Sequence, residues 1–173
     1  MYYFDPLIQV MAYNNCCFAS CTPNVQIRFD IPTFSLQVIT RRDVEAGDQL
    51  FHCYCDPYQP VKERRRQLAE GYSFKCQCKA CVEATPETDK LRKEMEGNIQ
   101  KIIDEKEEMF ANPQFSIRSF APLLELEKEI VKEGLDWGEM FSNLIYVIME
   151  AYFILKDKPK VFEYRNKWKR LRE

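Results

Sequence analysis

Apolar and polar residues alternate with period two over 25–29 and again over 34–39, the pattern of half-buried strands, and Asp30-Ile31-Pro32-Thr33 between them reads as a turn. A hairpin is predicted. A polar stretch, Arg41 to Asp48, leads into a third apolar segment, Leu50 to Cys55. Strand alternation there would put Tyr54 opposite to Cys53 and Cys55, packing the two thiols on one side and sending the phenol to the other. From Pro60 the period turns helical: Val61 to Glu70 has no breaker, and Gly71 is the expected cap. Beyond residue 84 the pattern is wholly helical. Leu91, Met95, Ile99, Ile102, Ile103, Met109 and Phe110 share a helical face that stops at Asn112-Pro113. Phe120, Leu123, Leu124, Glu127, Ile130 and Val131 outline a second helix ending at Gly134, and a third runs from about Glu139 to Leu155. Its Leu144–Leu155 portion is apolar nearly all round, which implies burial between other helices. Val161, Tyr164, Trp168 and Leu171 make a last stripe on a basic segment. The fold class expected is α+β, in three stretches: 1–17, which carries no motif; 18–83, the β core and a cysteine loop; and 84–173, all helical.

Composition narrows the classes. With 173 residues, 46% hydrophobic and 30% charged, the chain can bury a core. A formal net charge of −2 gives no global field for nucleic acid or an anionic membrane. Arg64-Arg65-Arg66 has the look of a nucleic-acid patch, but one helical turn spreads the triplet round the cylinder and Glu63 and Glu70 flank it, so it reads as a solvated face. The first eleven residues lack a basic region and carry Asp5, and no apolar run nears the roughly 20 residues that span a bilayer. An intracellular chain, nuclear or cytoplasmic, is expected. Eight cysteines in a reducing compartment point to metal ligands before disulfides.

Three of those cysteines form Cys76-x-Cys78-x-x-Cys81, a run that brings three thiolates round one ion by local turns alone. Structural Zn²⁺ takes a fourth soft ligand. Of the remaining cysteines, at 16, 17, 21, 53 and 55, Cys21 sits just before the turn signal Pro23-Asn24, which can aim its sulfur. Cys21, Cys76, Cys78 and Cys81 are the expected zinc ligands; the plainer alternative is a set of buried thiols packing as small hydrophobes.

Ser20-Cys21-Thr22-Pro23-Asn24, then Gly47-Asp48 with Tyr54 seven residues after the glycine, then Tyr72-x-Phe74-x-Cys76-x-Cys78-x-x-Cys81, resembles in content and order the second half of a SET domain with its post-SET zinc loop. The likeness is to fungal members related to the SET-and-MYND lysine methyltransferases and covers about residues 20–83, with a weaker likeness of the helices to that family's tetratricopeptide-like extension. The resemblance implies methyl transfer from S-adenosylmethionine to a lysine of a histone or other protein. Tyr54 matches the tyrosine that orients the amine, Tyr72 a second tyrosine walling the lysine channel, and Phe74 the ring that stacks on adenine. Two departures stand beside it: Phe18-Ala19 replaces the family's Asn-His, and no Gly-x-Gly pair lies upstream of the cysteine loop. The expectation is therefore a truncated methyltransferase, inactive by itself. The alternative is a non-catalytic, zinc-stapled module whose helices bind a protein partner.

Overall fold

The computed structural model describes residues 18–172 and the backbone of Ile8 and Gln9. The expectations placed on the rest of 1–17, Cys16 and Cys17 among them, lie outside the described residues. Two compact units divide the chain, one ending at Thr85 and the other beginning at Pro86.

In the first unit, β3 (Val25–Asp30) and β4 (Ser35–Thr40) form the antiparallel hairpin, in a register that sets Val25 against Thr40 and Ile27 against Val38. β1 (Ile8–Gln9) adds to the outer edge of β4, giving the order β1-β4-β3. Val25 and Val38 are buried, with Ile27 and Leu50 packed on them. Separately, β2 (Phe18–Ala19) pairs in parallel with β5 (Phe51–His52), so the whole hairpin lies inside the crossover between the two strands. Asn24 stitches the two sheets together. Its side-chain amide donates to Gln49 O at 2.9 Å, its Oδ1 accepts from Phe51 N at 2.6 Å, and its own carbonyl accepts from Arg41 N at 2.8 Å.

The helix α1 (Val61–Tyr72) starts after Pro60, as the period change indicates, but runs through Gly71. Ser73 takes the left-handed cap position instead, at φ 55°, with its N–H on Ala69 O. A short helix, α2 (Lys79–Val82), follows inside the cysteine loop.

The second unit contains α3 (Pro86–Ala111), a 3₁₀ turn (Ile117–Ser119), α4 (Ala121–Lys132), α5 (Gly138–Ile154) and α6 (Lys158–Arg172). α5 is central and touches α3, α4 and α6. That placement explains its composition: Phe141, Leu144, Ile145, Val147, Ile148, Ala151 and Tyr152 are all buried. The charged groups taken inside, Arg92 and Glu127, are paired, as burial demands. Arg92 lies 3.0 Å from Glu133, and Glu127 accepts from the Tyr164 hydroxyl at 2.8 Å and from Lys167. Among the described residues no helix is long and apolar enough to cross a membrane.

Candidate functional site

Four sulfurs meet at the centre of the first unit. The Sγ atoms of Cys21, Cys76, Cys78 and Cys81 all lie within 4.8 Å of one another. Cys78 and Cys81 are set by a local turn, in which the N–H groups of Cys81 and Val82 both donate to Cys78 O at 2.9 and 3.0 Å. Cys21 arrives from the segment after β2, its sulfur 3.5 Å from Cys81 and 4.0 Å from Cys76. Zinc–sulfur bonds of about 2.3 Å in a tetrahedron put ligand sulfurs about 3.8 Å apart, so the four thiols have the spacing and the chemistry for structural zinc. Cys21, Cys76 and Cys81 are buried with Leu68, and Tyr54, Cys55, Val61, Phe74 and Cys78 pack around them. The cysteine cluster is thus also one of this unit's apolar cores, beside the one round Val25 and Val38.

The thiols do not titrate alike. Hydrogen bonding from Cys21 holds Cys76 down at about 6, and bonding from Cys21, Cys76 and Cys81 pulls Cys78 well below the ordinary thiol range. Cys21, through its bond to Cys55 first, and Cys81, through its bond to Cys21 first, are pushed far up. A metal ligand must be a thiolate, so binding a divalent cation here would release protons from this group.

Cys55 sits at the edge of this group with its sulfur 3.8 Å from Cys21. The strand expected to run to Cys55 ends at His52. The chain then turns, with Cys53 Sγ donating to Cys55 O at 3.1 Å, so strict alternation no longer governs residues 53–55.

The arginine triplet departs further from the solvated face expected of it. Arg66 is exposed and pairs with Glu63 and Glu70. Arg64 is fully buried, giving Nη1–H to Gln59 O at 2.6 Å and Nη2–H to Ala80 O at 2.9 Å, with Cys81 Sγ 3.9 Å from Nη2. Arg65 donates to Cys81 O at 2.7 Å. Burial disfavours the Arg64 charge, but the Cys21 and Cys81 sulfurs more than restore it and its pKa lies above the usual arginine range. Helical spacing in the sequence showed three arginines on a cylinder; nothing in it showed that the cysteine loop folds back over the first two.

Beside the cysteine centre lies a cleft of about 840 Å³. Its walls include Phe18, Ala19, Phe51, Tyr54, Tyr72 and Phe74, with Lys75 and Lys79 at its edge. The Tyr54 and Tyr72 rings are 4.9 Å apart at an interplanar angle of 47°, and the His52 ring stands 5.7 Å from Tyr54. Burial keeps His52 below the ordinary imidazole range, so the chain's single histidine is neutral near pH 7. Tyr54 is placed by the turn after β5, Tyr72 by the last residue of α1 and Phe74 by the residue following the left-handed Ser73. The structure therefore brings all three aromatic residues singled out in the sequence to one cleft, and all four cysteines to one point behind it.

With the cysteine centre and the aromatic cleft in place, sequence comparison gives the likeness its scale. Over about half its length this chain resembles the SET-and-MYND and SET5 proteins. It is 36% identical over 93 residues to the human "Histone-lysine N-methyltransferase SMYD3", covering 50% of this chain and 21% of that protein. It is 38% identical over 79 residues to "SET domain and MYND-type zinc finger protein 6" of Schizosaccharomyces pombe, covering 46% of this chain and 15% of that protein. With "Histone-lysine N-methyltransferase SET5" of Meyerozyma guilliermondii the identity is 25% over 107 residues, or 57% of this chain and 22% of that one. The matched stretch spans about a fifth of these relatives. No protein-family model matches the chain.

Proposed function

We propose that residues 18–83 supply one wall of a SET-type protein-lysine methyltransferase site, dependent on S-adenosylmethionine and acting on a lysine of a histone or other protein. The observation that carries this reading is the cleft in which Tyr54, Tyr72 and Phe74 converge in front of the four-cysteine centre. The cofactor supplies a sulfonium methyl for in-line transfer; this chain's residues supply orientation and preorganised dipoles, which is what such a displacement needs. The Tyr54 hydroxyl orients the amine, the Tyr72 ring walls its channel, and Phe74 offers its face to adenine. Paired aromatic rings also favour a cationic, methylated lysine. Cys21, Cys76, Cys78 and Cys81 would hold zinc and thereby fix the Tyr72–Phe74 segment against the cleft. The helical unit is read as the family's tetratricopeptide-like extension, a surface for a protein partner.

One observation favours the second reading, a zinc-stapled interaction module without catalysis. Phe18, 61% exposed, and Ala19 line the same cleft where family members carry the Asn-His pair that helps hold the cofactor. On either reading this chain alone binds S-adenosylmethionine weakly, and calorimetric titration giving a low-micromolar dissociation constant, about −8 kcal/mol, would contradict that. Catalytic competence is tested by fusing the first half of a related SET domain in front of Ser20. Lysine methylation should appear, and Tyr54→Phe should reduce its rate on the order of 10²-fold or more, since one well-placed donor is lost from a preorganised site. A fusion that methylates equally well with phenylalanine at 54 removes the catalytic assignment; one that binds cofactor but never methylates supports the module.

A further inference from the structure

Arg64 is the most deeply buried charge beside the cysteine centre, at 0% exposure. A guanidinium placed there without compensation is strongly disfavoured, so the surroundings must favour its charge. Its terminal nitrogens reach the carbonyl of Gln59 just before α1, the carbonyl of Ala80 in α2, and the sulfur of Cys81. One planar group therefore spans α1, the cysteine loop and a ligand atom. Four thiolates round a divalent ion carry a net charge of −2, and that dianion would sit in the same apolar core as Leu68. Outer-sphere donors to a ligating atom fix its position and tune the metal's hold.

We propose that Arg64 is the counter-charge of the four-cysteine centre, a positioning residue that holds Cys81 in place and offsets the excess negative charge of a bound zinc tetrathiolate. This rests on the reading of the four cysteines as zinc ligands. Arg65 provides the built-in comparison, because it clasps the same short helix through Cys81 O at 2.7 Å with a carbonyl contact alone. A role that is merely mechanical would leave the electron density on the ligand sulfurs the same whichever arginine is lost. A role in charge compensation makes the two arginines different.

The test uses the full chain with Arg64→Gln, Arg64→Lys and Arg65→Gln, each titrated against a competing zinc chelator. Arg64→Gln should weaken zinc binding by about 10–100-fold, the range seen when an outer-sphere partner is lost. Arg64→Lys, which keeps the charge, should recover part of that loss, and Arg65→Gln should match the wild type. In the cobalt(II)-substituted protein, Arg64→Gln should move the sulfur-to-metal charge-transfer band to longer wavelength, because an uncompensated thiolate gives up electron density more readily. Arg65→Gln should leave the band in place. Equal affinities for the two glutamine variants, a lysine variant as weak as the glutamine one, or an unmoved band would each overturn the counter-charge role while leaving the zinc reading intact. A wild-type chain that takes up no zinc takes both readings down together. Should Arg64→Gln fail to fold, the cobalt(II) band of Arg64→Lys decides: a band that stays at the wild-type wavelength, the charge being kept, is in favour of the proposal, and one moved to longer wavelength is against it.

Discussion

Cysteine spacing said more than any other residue-scale signal. Three thiols within six positions could be read as ligands because local turns alone must bring them together, and Cys21 joined them through the turn that follows it. Cys55 could not be read in the same way: its sulfur lies 3.8 Å from that of Cys21 only because the chain leaves the strand after His52. The proximity makes a sharp test. Elemental analysis should find one zinc per chain in the wild type and in Cys55→Ser, and none retained in Cys76→Ser after exposure to a chelator. Zinc lost from Cys55→Ser would place Cys55 among the ligands. Arg64 and Asn24 were opaque for a common reason. Each works through backbone carbonyls and N–H groups of distant segments, and those are the same whatever residues carry them.

Among elements, the helices were legible and the strands only partly so. A hydrophobic period of 3.6 accumulates evidence over many turns, which is why the stops at Asn112-Pro113 and Gly134 agree with the ends of α3 and α4. The two-residue strands β2 and β5 have no period to read, and their parallel pairing depends on chain more than thirty residues away. In the helical unit the contact between α4 and α6 has a titratable component. Burial first, and then the hydrogen bond to Glu127, push the Tyr164 phenol above its ordinary range, towards the protonated form. A raised folded value means that this stabilisation is complete below the unfolded tyrosine value of about 10 and is lost as pH rises above it. Denaturant melts of the wild type and Tyr164→Phe should therefore differ most at neutral pH, where the lost hydrogen bond costs the variant about 1 kcal/mol, and converge above pH 10. A gap that is constant across this range would show that the phenol does not titrate with unfolding.

At the scale of the molecule, one apolar centre of the first unit is built round cysteines and that of the second round α5, so metal removal should act unevenly. Amide exchange after chelation is expected to quicken across residues 72–82, where thiolates replace ordinary packing, and to leave α5 unchanged. Uniform quickening through both units would mean that the cysteine centre supports the whole chain. The two-part organisation was readable from the change of period near residue 84, whereas the threading of the hairpin inside the β2–β5 crossover was not, since pairing partners leave no mark on either strand alone.

The separation of Cys21 from Cys81, sixty positions along the chain, also sets an order of events during biosynthesis. At ribosomal rates of about 5–20 residues per second, the first thiol emerges roughly 3–12 s before the last. In that interval Cys21 has no complete partner set, while Cys76, Cys78 and Cys81 follow one another within a fraction of a second. If the centre holds zinc as proposed, the late trio would capture the ion and Cys21 would be recruited to it across a loop whose closure entropy must be overcome before the centre is complete. For a nascent chain, the step that would close this centre is therefore the return of its earliest candidate ligand, Cys21, to its latest, Cys81.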